Sequence, residues 1–396
     1  MDKFFGTATL EFGNRKKSVS ICINLVENVI EARFPMDTSN ALKIFNTGTE
    51  WMKSDIRILD IDIKLPYGVI TKDVYTDIFI KQYSPGTMSI YDSNLCRALD
   101  LRGKEEGITK VILIPRRSKI TFDFEYSNSK TSQYELFYSH NRINLGPPIS
   151  VELDSTPIRI AGDKNGLNLQ SQISLSQLEE RFRICWSILQ GGPLNLRAML
   201  DGKKLTLNLS SDKSIAALGP LYAGEKNLLP MLKVFNLFFQ KMKFDEFSHW
   251  RRASYFYLEG IGKTTPLEIR TINLLIFLEI IDESRTLDKN TLANQLQIGT
   301  DEADILCRAR NLLIHQGENL AEALIKAEAE LKKYKQITNN IFDIYQNDEF
   351  ATGALFYFKL ASLIGKFWAS NIGYTGTLNQ YQEFINDIKS RAKSNP

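Results

Sequence analysis

Two rhythms divide the chain. From Phe4 to about Lys164, apolar residues recur at every second position: "SVSICINLVENVIEARF" (18–34) and "SKITFDFEYS" (118–127) alternate, and "ITKVILIP" (108–115) is a compact β-branched run. The turn formers "SPGT" and "LGPP" separate other runs. Side chains of a strand point alternately to its two faces, so this pattern predicts a β-rich domain with strands packed as a sandwich or barrel. The rhythm changes at "SLSQLEERFRICWSILQGG" (174–192). There Leu178, Phe182, Cys185, Trp186 and Leu189 recur at helical spacing, Ser174 or Ser176 offers a cap, and Gly191 and Gly192 end the run. "KKLTLNLSS" (203–211) returns to alternation, which keeps this helix and one further strand pair with the β-rich region.

Beyond Leu228 the pattern is helical almost throughout. "LLPMLKVFNLFFQKMK" is strongly apolar, and "PLEIRTINLLIFLEIIDES" (266–284) is apolar almost all round, as a central buried helix would be. Leu320, Leu324, Ala327, Leu331 and Tyr334 form a seam flanked by the pairs Glu322/Lys326 and Glu328/Lys332, each four residues apart. The expected architecture is therefore α+β: a β-rich N-terminal domain over 1–220, sandwich- or barrel-like, followed by an all-α bundle over 228–396. The length of 396 residues agrees, since domains average about 150 residues.

Composition narrows the function classes. A net charge of +3 gives no general attraction for phosphates, so nucleic-acid binding has to come from a local patch. Cys22, Cys96, Cys185 and Cys307 are scattered, with no CxxC pair and no histidine at zinc spacing, so neither a metal nor another cofactor is expected. The N-terminus lacks the basic start and apolar core of a signal peptide, and no apolar run reaches about 18 residues. The expectation is a reduced, cytoplasmic protein that does not enter membranes.

The chemistry concentrates in "CRARNLLIHQG", residues 307–317, which holds one of three histidines. Asn311 and His315 are four residues apart and Arg308 is seven before His315, so on a helix these three share a face. Arg310, five before His315, is rotated by about 140° on a regular helix. Its side chain must swing back, or meet a second copy of the motif.

Arg310, Asn311 and His315, on a late helix of an all-α region, resemble the R-x(4–6)-H signature of HEPN domains. Arg308 also satisfies the spacing, so the arginine is not uniquely assigned; the asparagine directly after Arg310 matches the common form. The resemblance covers roughly residues 228–375, including an upstream apolar helix carrying Glu279. A β-rich region ahead of such a bundle is similar in layout to ApeA-type anti-phage proteins. The resemblance implies a metal-independent endoribonuclease, in which the ribose 2′-hydroxyl attacks phosphorus and leaves a 2′,3′-cyclic phosphate. It implies RNA as substrate, tRNA among the candidates, a phage-derived activator, abortive infection as the outcome, and a homodimer or larger homo-oligomer pairing two motifs. The side chains suit this chemistry. Histidine transfers protons near neutral pH, and arginine forks onto phosphate oxygens. Asn311 can orient either group, with Arg308 and Glu279 as supporting candidates.

Other readings compete. HEPN domains also serve as non-catalytic binding or assembly modules. "TLANQLQIGTDEADILCRARN" reads as a helix-turn-helix, with Leu292, Ala293, Leu296 and Ile298 packing inward. However, Asp301, Glu302 and Asp304 would open its recognition helix against DNA phosphates. "GIGKTTP" (260–266) lacks the first glycine of a P-loop, having Tyr257 there. Trp250, Arg251 and Arg252 in "SHWRRASYFYLEG" are RNA-binding candidates if exposed, and core aromatics with solvated arginines otherwise. Arg116, Arg117 and Lys119 read as a solvated strand end and His140 as structural. Glu279, inside "LLIFLEII", needs a partner: a motif arginine, or a salt bridge elsewhere in the bundle.

Overall fold

The computed structural model describes residues 3–12, 15–34, 56–65, 68–69, 79–81, 109–115, 118–123, 134–139, 145–163, 165–202, 204–209, 235, 239–240, 244–262, 266–281, 287–335, 341–374, 378 and 381–394. Arg116, Arg117, His140, Cys96, the turn "SPGT" (84–87), all of "LLPMLKVFNLFFQKMK" (228–243) but residues 235, 239 and 240, and the Lys263–Thr265 part of "GIGKTTP" lie outside them. The chain forms two units. One comprises Met1–Asn141, Gly146–Gln177 and Asn195–Ser214; the other comprises Arg142–Leu145, Leu178–Leu194 and Ile215–Pro396.

The first unit holds two antiparallel sheets. Strands β1 (Lys3–Phe12), β2 (Arg15–Asn24), β3 (Val29–Phe34), β4 (Ile56–Leu65), β5 (Gly68–Val69), β6 (Phe79–Lys81) and β7 (Thr109–Pro115) pair in the order β1-β2-β3-β7-β6-β4-β5. β4 also pairs with β1, so six of the strands close into a ring. Closure removes the open edges that would otherwise template aggregation. The alternation in the sequence is the alternation of this ring: Phe4, Ala8, Leu10, Val19, Ile21, Ile23, Ile30, Ala32 and Ile63 are buried.

The second sheet runs β10-β11-β12-β9-β13-β14-β8. Its strands are β8 (Ser118–Asp123), β9 (Tyr134–Ser139), β10 (Ile149–Leu153), β11 (Thr156–Asp163), β12 (Gly166–Ser171), β13 (Asn195–Asp201) and β14 (Lys204–Leu209). Asp154 and Ser155, at φ 47° and 62°, make the two-residue turn between β10 and β11, and positive φ at both positions matches the twist of a hairpin. Gly166 admits a close approach, because a Cβ there would stand 2.7 Å from the Tyr138 carbonyl oxygen.

The second unit contains eight α-helices among the described residues: α1 (Glu179–Leu189), α2 (Phe244–Ile261), α3 (Leu267–Ile281), α4 (Lys289–Leu296), α5 (Thr300–Asn311), α6 (Leu320–Lys335), α7 (Glu349–Ile372) and α8 (Gln382–Ser394). Alternating strands on both sides of α1 suggested that it stays with the β-rich region; instead it groups with the helices. Its apolar face explains this. Phe182 stacks on Trp186 at 5.4 Å, and both meet Phe235 edge-on at 5.2 and 5.4 Å.

The central helix is α7 rather than α3. α7 buries residues on every side, including Leu355, Phe356, Tyr357, Leu360, Ile364 and Trp368, whereas α3 leaves Ile269 46% exposed and Ile272, Ile276 and Ile280 half-buried along one stripe. Trp368 gathers Trp250, Tyr257 and Phe277 around it at 5.5 to 5.6 Å. On α6 the seam residues Leu320, Leu324, Ala327 and Leu331 are buried, but Tyr334 is 73% exposed, lying under the Arg308 guanidinium. Of the two expected pairs, Glu328/Lys332 forms from a buried glutamate, whereas Lys326 turns to Glu318. Lys326 bonds Glu318 at 2.5 Å, and Glu328 is buried, accepting from the Ile341 backbone N–H at 2.9 Å with Lys332 3.4 Å away. Among the described residues no helix is long and apolar enough to cross a membrane.

Candidate functional site

α5 begins behind Gly299 with Asp301 and Glu302 in its first turn and ends with Arg308 and Arg310 in its last, the charge order that suits a helix dipole. It buries Ala303, Ile305, Leu306 and Ala309. The chain does not stop there. Residues Leu312–Gln316 continue as one turn of π-helix, closed by the backbone N–H of Gly317 donating to the Leu312 carbonyl, with Gly317 at φ 69°. That wider i→i+5 turn lets the neighbours Leu312 and Leu313 both face inward while His315 stays exposed. It also closes the angular gap that a regular helix would leave between residues 310 and 315.

The result is a cluster built on one guanidinium. Arg310 Nη1 donates to Asn311 Oδ1 at 2.9 Å and lies 2.9 Å from His315 Nε2. Arg310 Nη2 donates to Glu279 Oε2, which α3 presents from the facing helix. The Arg310 side chain is 12% exposed and that of Glu279 23%, while Asn311 and His315 are open to solvent. A half-buried carboxylate in an apolar run needs a countercharge, and Arg310 supplies it. An imidazole, a forked cation, an amide, and a carboxylate to hold the cation therefore sit at one surface point.

Arg308 does not join this cluster. Its Nε bonds Asp304 at 3.0 Å and its Nη1 bonds Glu330 at 2.8 Å, on the side of α5 facing α6. Hydrogen-bonding geometry thus separates two arginines that spacing left equivalent.

The RNA-binding candidates are differently placed. Trp250 packs on Trp368, and Arg251 bonds Glu180 of α1 at 2.7 Å, so neither is a free platform; Arg252 is exposed. The acids that open α5 are engaged inside the helical unit. Asp301 pairs with Lys335, Glu302 with Lys359 at 2.6 Å, and Asp304 with Arg308 and, at 3.6 Å, with Lys289. α4 and α5 do form a tight helix pair, with Gln297 at φ 56° in its turn, but α5 packs on α6 as a bundle member.

Periodicity did not reveal the π turn. Its signal in the sequence was the conflict between a five-residue Arg-to-His spacing and a regular helix, followed by Gly317. Compared with protein-family models, curated proteins and solved structures, the chain matches none.

Proposed function

We propose that the helical unit is a HEPN-type, metal-independent endoribonuclease in which Arg310, Asn311 and His315 act on the ribose-phosphate link of RNA. The observation that carries this reading is that one guanidinium, held by Glu279, brings Asn311 and His315 together at an exposed point. In the reaction the ribose 2′-oxygen attacks the adjacent phosphorus and its proton passes to an imidazole. The bond from phosphorus to the 5′-oxygen breaks, and that oxygen leaves with a proton. The products are a 2′,3′-cyclic phosphate and a 5′-hydroxyl. Proton transfer by a placed histidine contributes about a hundred- to ten-thousandfold, and fixed donors on the developing charge contribute a comparable factor.

A single imidazole cannot take the 2′-hydroxyl proton and protonate the departing 5′-oxygen in one concerted step, so a second copy of the chain supplies the acid, through an isologous pairing. The half-exposed isoleucine stripe of α3, in which Ile276 and Ile280 flank Glu279, supports a contact between copies. From the resemblance come the wider expectations: a cytoplasmic anti-phage effector acting by abortive infection, cutting tRNA or other RNA, with the β-rich unit sensing a phage-derived activator. The same isoleucine stripe also favours a second reading, a helical unit that serves assembly alone.

Incubating the full chain with tRNA and total RNA in EDTA separates these. Cutting that leaves cyclic-phosphate ends and disappears in His315→Ala and Arg310→Ala, with circular dichroism unchanged, supports the nuclease. Equal cutting by the variants removes it. Cutting by a species that sediments as a monomer removes the two-copy part.

A further inference from the structure

The hydrogen bonds around Arg310 fix the state of His315 before any ligand arrives. A guanidinium only donates, so the 2.9 Å contact from Arg310 Nη1 requires His315 Nε2 to be an acceptor. The imidazole is then neutral, with its proton on Nδ1 and its Nε2 lone pair covered. A covered lone pair takes no proton from a ribose hydroxyl.

Arg310 is also incompletely satisfied. Nη1 serves Asn311 and His315, and Nη2 serves Glu279, but the Nε–H is buried and has no hydrogen-bond partner among the described residues. An unpaired buried donor is costly, so the guanidinium gains by turning toward an anion that offers it a partner. Relative strengths decide which bond yields to such an anion. Hydrogen bonds to charged acceptors are about twice as strong as those to neutral acceptors. A phosphate therefore competes poorly with the Glu279 carboxylate and well with the neutral His315 and Asn311. Arg310 stays anchored at Glu279 and gives up the imidazole.

We propose that Arg310 masks the His315 base in the resting site and that a phosphoryl group unmasks it, by drawing the guanidinium off Nε2. The lone pair then becomes free only when a phosphate is in place beside it. This deepens the nuclease reading and rests on it for the identity of the phosphoryl ligand as RNA. It also gives Asn311 a role: as the second neutral acceptor on Nη1, it stabilises the released guanidinium less than a phosphate does and so lets it move.

The test reads the tautomer directly. The full chain, labelled with ¹⁵N at histidine, is observed by long-range proton–nitrogen correlation at about pH 8, where an ordinary imidazole is neutral. Combining His140→Gln with His249→Gln leaves His315 as the one labelled histidine. The expected result is a proton on Nδ1 and a bare, hydrogen-bonded Nε2. Inorganic phosphate should shift the Nε2 signal, and chloride at equal ionic strength should not. Arg310→Gln should move the ring toward the Nε2-protonated form that free histidine prefers. An Nε2-protonated His315 in the wild type overturns the mask, and an Nε2 signal that ignores phosphate overturns the unmasking. Because the readout is a tautomer and not cleavage, failure of the nuclease reading leaves this result standing, and the reverse also holds.

Discussion

Arg310 and His315, five residues apart, meet at 2.9 Å because the chain between them takes a π-helical turn. On a regular helix the two would be separated by about 140° around the axis. The extra width of one turn places a cation and an imidazole on a common point, with Glu279 fixing the cation from α3.

Arg308 and Arg310 should behave oppositely. Arg308→Ala removes an exposed ion pair to Glu330 and leaves the buried Asp304 with Lys289 at 3.6 Å, so it should cost about 1–3 kcal/mol of stability, with RNA cleavage by the folded protein within about twofold of wild type. Arg310→Ala should lower kcat by about 10²–10³-fold. Single-turnover cleavage beside urea unfolding checks both, and a large catalytic loss in Arg308→Ala would reassign the arginine.

Glu279 should act through Arg310. Glu279→Gln keeps an acceptor of the same shape but removes the charge, a loss of about 1–1.5 kcal/mol in that bond and so about a tenfold fall in kcat/KM. Glu279→Ala should fall further. If activity tracks only the folded fraction across this pair, measured by unfolding midpoints, Glu279 has no positioning role.

Gly317 should be needed for the turn. At φ 69° a Cβ costs about 1–2 kcal/mol even though nothing lies within 4 Å of it, so Gly317→Ala should lose that much stability and Gly317→Asn less. Cleavage by Gly317→Ala at a temperature where it is folded should also drop, because the Arg310–His315 register depends on this closure.

Asp288 should give the helical unit part of its acid sensitivity. It accepts from the Thr291 backbone N–H, the Thr291 hydroxyl and the Asn290 backbone N–H at the start of α4, and these bonds, led by the first, hold its carboxyl below its ordinary value of 3.8. A folded pKa below the unfolded one means the stabilisation is complete above the unfolded value and is lost as pH falls through the folded value. Asp288→Asn retains the cap but cannot titrate, so its unfolding midpoint should change less than that of wild type as pH drops from 5 toward 3. Parallel curves for the two proteins would remove Asp288 from the acid response.

Much of the layout was legible because burial leaves a local trace. The alternation over 18–34 marks β2 and β3, and the seam from Leu320 to Leu331 marks the inner face of α6. Where the trace misled, the cause was a partner the pattern could not name. α1 reads as part of the β-rich region by position, but Phe182 and Trp186 find Phe235. Glu328 pairs with Lys332 as its spacing suggests, but it does so from a buried position, where it also holds the Ile341 backbone N–H. α3 reads as the central helix because its run is apolar almost all round, yet α7 takes the centre and leaves one isoleucine stripe of α3 half-buried.

The amino-acid order by itself determined a β-rich region followed by a helical one, and that Arg308, Arg310, Asn311 and His315 lie within about two turns of one another, because these are consequences of periodicity and spacing. Only the folded chain decided that β4 closes on β1, that Glu279 faces Arg310 rather than another cation, and that a π turn brings His315 to it. Periodicity reports that a face is buried; what it is buried against is set by the packing of elements distant in the chain, where charge pairing and close fit choose among partners.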